Sequence, residues 1–285
     1  MRKRTLALAG ILSVAQPAWG AVIAYDDFQS YTPGAQFESG AGVGLSGGTG
    51  WAAAWNASDT NRAHSLVATQ PMSYSAGAVT VSDGGSTALR FKDVADNGLL
   101  GRTFDGISSG PVYVSFLYRT TNPLTDEDFI QMGLSDALGA EPKASVGTQN
   151  GSSTPSVFFA RVPNGGTTNN SAVAFDPNTD FFVVAKFTKT TGSSGFNQVS
   201  LFVNPTTLTE PGAPTISGTS AANTGAATFS TFNIRTARIE VGDDYFIDRL
   251  VIADSYVDAI QAPEPGTLGL SAAAGLLALR RRRRA

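Results

Sequence analysis

The chain has 285 residues with 20 basic and 23 acidic side chains, a net charge of −3, 31 glycines, one histidine and no cysteine. The missing cysteines exclude disulfide staples and thiolate metal sites, and a single histidine leaves zinc without a ligand set. The length is sufficient for a full hydrophobic core without staples.

The first predicted element is an export signal. Arg2, Lys3 and Arg4 make a charged start, and Thr5 to Ala15 is an apolar run with no polar face. Ala18-Trp19-Gly20 then places small residues at the two positions that signal peptidase reads, so cleavage is expected between Gly20 and Ala21.

The body that follows reads as short strands. Segments of alternating or β-rich character fall at 22–28, 78–82, 87–92, 99–104, 111–119, 128–134, 155–162, 181–188, 198–203, 232–241 and 245–253, joined by Gly-, Ser-, Thr- and Asn-rich turns. So many strands at short spacing predict an all-β antiparallel sandwich or barrel. The runs Phe181–Phe187 and Val199–Val203 flank a Gly-rich loop at 191–195 and predict a hairpin. In Phe232–Val241 the apolar phase changes between Ile234 and Ala237, which predicts a β-bulge there. The best short helix candidate is Ser255–Ile260.

Chemistry is sparse. Glycoside hydrolysis needs two carboxylates across one bond. The six glutamates (Glu38, Glu127, Glu141, Glu210, Glu240 and Glu264) never lie closer than 14 residues apart, and no strand carries a pair. A Ser-His-Asp triad would have to use His64, and no nucleophile elbow stands in a strand-to-helix setting. The Gly-rich stretch 40–50 has no strand-then-helix context for phosphate.

Two features bear on binding. Trp51 and Trp55 share a face on a strand or a helix and are candidates for stacking on sugars, although Ala52-Ala53-Ala54 between them suits core packing equally. Calcium needs several hard oxygen ligands. Asp26 and Asp27 on the first strand, and Asp243, Asp244 and Asp248 near the last, are the candidate set, with Asp26, Asp27 and Asp248 foremost. Asp248 shares strand parity with Phe246, Leu250 and Ile252 and is expected to point inward, where it needs a partner.

The C-terminus carries an address. Pro263-Glu264-Pro265 precedes the uncharged segment Gly266–Leu279 and five consecutive arginines, Arg280–Arg284. Prolines keep the entry extended, the apolar segment suits lipid, and the arginines stay on the cytoplasmic side. A core helix or a basic nucleic-acid tail fits this order less well. Without both terminal segments the body holds 12 basic and 22 acidic residues. So acidic a body argues against nucleic acid and anionic polysaccharide as electrostatic partners.

The ordered tail resembles the PEP-CTERM sorting signal of Gram-negative bacteria that make exopolysaccharide. The resemblance implies cutting at Pro263, Glu264 and Pro265 by a membrane protease-transpeptidase, the exosortase. The expected partners are then signal peptidase, exosortase, transiently the inner membrane, and an exopolysaccharide or other glycan. The destination would be the envelope or extracellular matrix. The body resembles concanavalin A-like (LamG-like) jelly rolls. The resemblance rests on Tyr25-Asp26-Asp27-Phe28, Tyr31-Thr32-Pro33-Gly34, Gly47 to Trp51, Trp55, the hairpin ending at Asn204-Pro205, and Phe246–Ile252. It implies two sheets over residues 21–258 with the first and last strands adjacent. The reading is an exported, non-catalytic protein with a structural or adhesive role. The alternative is a carbohydrate-binding module using Trp51 and Trp55, and a glycoside hydrolase is the disfavoured third.

Overall fold

The computed structural model describes residues 21–37, 45–57, 65–82, 85–92, 98–124, 128–151, 154–162, 169–174, 176–220, 225–239 and 242–262. The expected signal segment to Gly20, His64 and the expected sorting tail from Pro263 lie outside them. Among the described residues no helix is long and apolar enough to cross a membrane.

Two antiparallel sheets form a jelly-roll sandwich. The first runs Ile216–Thr219 (β15), Gln198–Val203 (β14), Phe181–Thr188 (β13), Val112–Thr120 (β8), Asp244–Ala253 (β17), Thr87–Lys92 (β6), Ser65–Thr69 (β3). Val22–Asp26 (β1) pairs with the second half of β17, so the first and last strands are neighbours. The second sheet runs Asn169–Ala174 (β12), Thr154–Arg161 (β11), Ala144–Gly151 (β10), Phe129–Ser135 (β9), Phe229–Ala237 (β16), Gly98–Ile107 (β7), Asn56–Ala57 (β2). A separate hairpin, Ser73–Ala76 (β4) with Val79–Ser82 (β5), and one helix, Tyr256–Gln261 (α1), complete it. The expected hairpin at 181–203 is the β13–β14 pair.

The two sheets differ in what their outer faces carry, and the sequence shows why. In β8, Val112, Val114, Phe116 and Tyr118 point between the sheets, while Tyr113 and Leu117 join a second apolar cluster on the outer face. In β13 the same division separates Phe181, Val183, Ala185 and Phe187 from Phe182 and Val184. The β4–β5 hairpin (Val79, Val81) and α1 (Tyr256, Ala259, Ile260) cover this outer face. Strands buried on both sides read as continuous apolar runs. The second sheet is apolar on its inner face and mixed on its outer face, where Val157 and Phe159 of β11 are buried beside polar positions. In β9, Ile130, Met132 and Leu134 enter the core, leaving Gln131, Gly133 and Ser135 on the other side.

The helix starts at Ser255, whose hydroxyl accepts from the Asp258 amide at 3.2 Å and so caps the first turn. It is clipped to the sheet through its carbonyls. Ser115 Oγ donates to Ala259 O at 2.5 Å, and Arg249 Nη2 donates to Ile260 O at 2.6 Å and Ala262 O at 3.3 Å.

Two expectations about strand phase need correction. The β16–β9 ladder runs unbroken from Thr231 to Ala237. Buried Thr236 holds the inward position after Ile234, and the phase changes only at Arg238, in the left-handed region at φ 59°. The irregularity within β16 lies instead between Phe229 and Thr231. In β17, Tyr245, Ile247, Leu250 and Ile252 face the core, whereas Phe246, Val251 and Ala253 face outward. A bulge flips the parity at Arg249, which has φ 47°. Asp248 precedes that bulge, pairs with Leu117 and shares the outer side with Phe246, not the inner side with Leu250 and Ile252. It is fully buried, and its Oδ1 accepts from the Arg249 amide at 2.6 Å.

Candidate functional site

The side chains singled out in the sequence hold the fold together. Asp26 lies at the end of β1 with no exposure. Its Oδ2 accepts from Tyr31 Oη at 2.7 Å, Trp55 Nε1 at 2.9 Å and Arg102 Nη1 at 2.7 Å, and its Oδ1 accepts from the Phe28 amide at 3.0 Å. Arg102 comes from β7, so this ion pair ties the first sheet to the second. Burial pushes the Asp26 carboxyl up, against the pull of Trp55, Tyr31, Arg102 and the Phe28 amide. Burial likewise pushes the Arg102 guanidinium down, against the Tyr31 and Asp26 attraction.

The tryptophans belong to the same knot. Trp55 is 1% exposed, stacks on Phe28 and meets Phe37 and Phe232 edge-on. Trp51 is half-buried, with its indole N–H on Tyr25 O at 3.0 Å and Arg102 Cζ 4.9 Å from its ring. Trp55 therefore has no face for a sugar, and the stacking expectation is corrected for it.

The calcium candidates do not converge. Asp27 accepts from the Gln29 amide and Tyr25 Oη, Asp244 takes both Arg90 Nε and Nη2 at 2.7 Å, and Asp243 lies 3.4 Å from Asn122 Nδ2. Among the described residues no three carboxylate, histidine or cysteine groups are placed to hold a metal ion.

A different set of residues forms a polar strip on the outer face of the second sheet. Register aligns Arg161, Ser145, Gly133, Asn233 and Gly101 across five strands; in the next row Gly147, Gln131 and Arg235 lie between Phe159 of β11, itself buried, and Leu99 of β7. Gln131 Nε2 donates to Ser145 Oγ at 2.7 Å. Asn233 Nδ2 donates to Ala137 O at 2.9 Å and Thr231 Oγ1 at 3.2 Å. Asn233 thus spends two N–H groups inside the protein and Gln131 one. Their carbonyl oxygens, Gln131 Oε1 and Asn233 Oδ1, are buried and accept nothing among the described residues. A buried acceptor without a donor is costly, and two side by side call for a reason.

Glycines shape the floor. A methyl group on Gly101 would lie 2.1 Å from Asn233 Oδ1 and 2.9 Å from Leu138 Cδ1, so the carboxamide and Leu138 occupy the space that the missing side chain leaves. Above the strip runs the β9–β10 connection, residues 136–143. Ala137 O is held by Thr231 Oγ1 and Asn233 Nδ2, and Glu141 Oε1 lies 2.7 Å from Arg235 Nη1. Leu138 on this strap is 39% exposed, the one large apolar side chain so exposed among the described residues.

Sequence reasoning passed over this face because it looked for charged pairs and aromatic stackers. The signal was the alternation itself: Gln131, Gly133 and Ser135 against Ile130, Met132 and Leu134, repeated as Thr231, Asn233 and Arg235 in β16.

No protein-family model matches the chain, and no curated protein matches it. Solved structures are similar in fold. One alginate lyase, Aly36B in complex with alginate tetrasaccharide, is 14% identical over 81% of this chain and 97% of its own, with a TM-score of 0.49. A glycosyl hydrolase family protein from Mycobacterium fortuitum is 12% identical over 81% of this chain and 99% of its own, TM-score 0.44. A sialidase is 15% identical over 72% of this chain, TM-score 0.42, and this chain spans only 19% of it. The expectation that the chain is not an enzyme is corrected by these matches, most of which are described as enzymes. The physical reason is that paired glutamates are the requirement of one reaction class. Lacking the pair therefore speaks against that class alone.

Proposed function

We propose that this protein recognises a carbohydrate on the outer face of its second sheet. The observation that carries the reading is the pair of buried amide oxygens, Gln131 Oε1 and Asn233 Oδ1, on adjacent strands, each oriented by hydrogen bonds from its own amide nitrogen. Acceptors of that kind suit hydroxyl donors, and a sugar presents hydroxyls in rows. Among the described residues, the outer face of the opposite sheet is covered by α1 and the β4–β5 hairpin. The structural or adhesive reading has no side-chain feature of its own to support it.

Affinity electrophoresis through gels cast with neutral and acidic polysaccharides tests this. At least one polymer should retard the protein, and Gln131→Ala and Asn233→Ala should each weaken that retardation about 3–10-fold, the worth of one hydrogen bond. No retardation by any polymer, or variants indistinguishable from wild type, would contradict the reading. The same incubations assayed for new reducing ends separate binding from cleavage.

The reading includes export and processing at both ends. It is supported by the charged and apolar N-terminal run and by the ordered Pro263–Arg284 tail. Intact-mass measurement from the native host should find neither Met1–Gly20 nor the residues beyond Pro265. A dominant species retaining Arg280–Arg284 would defeat the sorting part.

A further inference from the structure

The ion pairs of the described residues differ in how their acids are held. Asp244, Asp180 and Glu210 are 18%, 12% and 31% exposed in their pairs with Arg90, Arg119 and Lys186, whereas Glu141 is 51% exposed. Its partner Arg235 is only 18% exposed, sits in the polar strip opposite Gln131, and lies with Cζ 5.0 Å from the Phe129 ring. The guanidinium is therefore fixed by the sheet, while its carboxylate comes from a strap and is largely in water. Such a pair is weak and exchangeable. Two more cations share this face. Register puts Arg161 opposite Ser145, and Lys143 lies two residues before Ser145 on the same strand parity, diagonal to Arg161. Glu141 and, at the other end of the strap, exposed Asp136 are the acids beside them.

We propose that the strip takes a carboxylated polysaccharide, a chain of uronate residues, with Arg235 as the carboxylate receptor. Glu141 is the internal carboxylate that occupies the receptor until the ligand displaces it. This inference rests on the carbohydrate reading above and names the class of sugar. A uronate brings hydroxyls for Gln131 Oε1 and Asn233 Oδ1, and a carboxylate that competes with Glu141 for the guanidinium. Release of Glu141 also frees one of the attachments that hold the strap over the buried amides. The acidic net charge of the chain speaks against anionic polymers only at long range; at contact distance the local cations decide.

The test is titration of the purified protein, by calorimetry at low and high salt, with oligogalacturonate, oligoguluronate and oligoglucuronate. Galactan and mannan oligosaccharides are the neutral arms, and dextran sulfate is the sulfated arm. The expected result is that at least one uronate binds, more weakly at high salt. Glu141→Gln should tighten it about 3–10-fold by vacating Arg235, and Arg235→Gln should weaken it about tenfold. Glu141→Gln lies on the exposed strap, so the gain can be read even if Arg235→Gln folds poorly. A neutral sugar that binds while uronate binding is absent, or unchanged or weakened by Glu141→Gln, overturns this inference and leaves the carbohydrate reading standing. Dextran sulfate binding as tightly as any uronate overturns the choice of carboxylate. No binding of any sugar, charged or neutral, overturns both.

Discussion

Replacing Arg102 with methionine should destabilise the protein by about 3–5 kcal/mol, the cost of stranding a buried charge. Arg102 is 2% exposed and Asp26 fully buried, so removing the guanidinium leaves a carboxylate whose strongest donor is gone. The loss is not electrostatic alone. Arg102 Nη1 also donates to Gly47 O at 2.8 Å and its Nε to Ala53 O at 2.7 Å, and its plane lies against Trp51. Asp26→Leu alone should cost a similar amount, because it strands the guanidinium. The double variant Asp26→Leu with Arg102→Met should lose much less than the sum, because no unpaired charge is left behind. Urea unfolding of the four proteins checks this. Additive losses would show that Asp26 and Arg102 do not act as a pair.

Raising the pH above ten should unfold the protein steeply. Burial pushes the phenols of Tyr31 and Tyr118 far above the usual tyrosine range, and that of Tyr256 up to about 12. The folded state then holds protons that the unfolded chain releases near pH 10, so stability is fully present below that pH and is lost as pH rises towards the native values. Tyr31 and Tyr118, both buried, together cost about 3 kcal/mol per pH unit above ten. Tyr118 Oη and Thr148 Oγ1 lie 2.5 Å apart in the core, so Tyr118→Phe should remove about half of that slope. Urea midpoints between pH 9 and 11 measure it. A flat profile would contradict the burial of these hydroxyls.

Most of the first sheet was legible in the sequence because its strands are apolar on both sides. Phe181–Thr188, Gln198–Val203 and the 111–119 run announce themselves without any partner. The strands overlooked were Asn56–Ala57, Ser73–Ala76, Ala144–Gly151, Asn169–Ala174 and Ile216–Thr219. Three of these lie in the second sheet, where much of the outer face is polar or bare. In β10, Gly147 and Gln149 stand where an apolar residue would have signalled a strand. The candidate site was hidden for the same reason, since a face built from Gln, Ser, Asn and Gly reads locally as turn. Parity arguments failed at Arg238 and Arg249, because non-glycine residues in the left-handed region carry no sequence mark. Trp55 was misjudged because its spacing from Trp51 says which residues share a face, not which face meets solvent.

The central claim is that sugar is bound on the outer face of the second sheet. Its most direct test is mapping amide NMR shifts of the labelled protein during titration with whichever oligosaccharide retards it most. The account predicts that the largest changes fall on the side-chain amides of Gln131 and Asn233 and on the backbone of Gly101, Gly133, Gly147 and the 136–143 strap. Changes concentrated instead on α1, on the β4–β5 hairpin or around Trp51, with the strip silent, would contradict it.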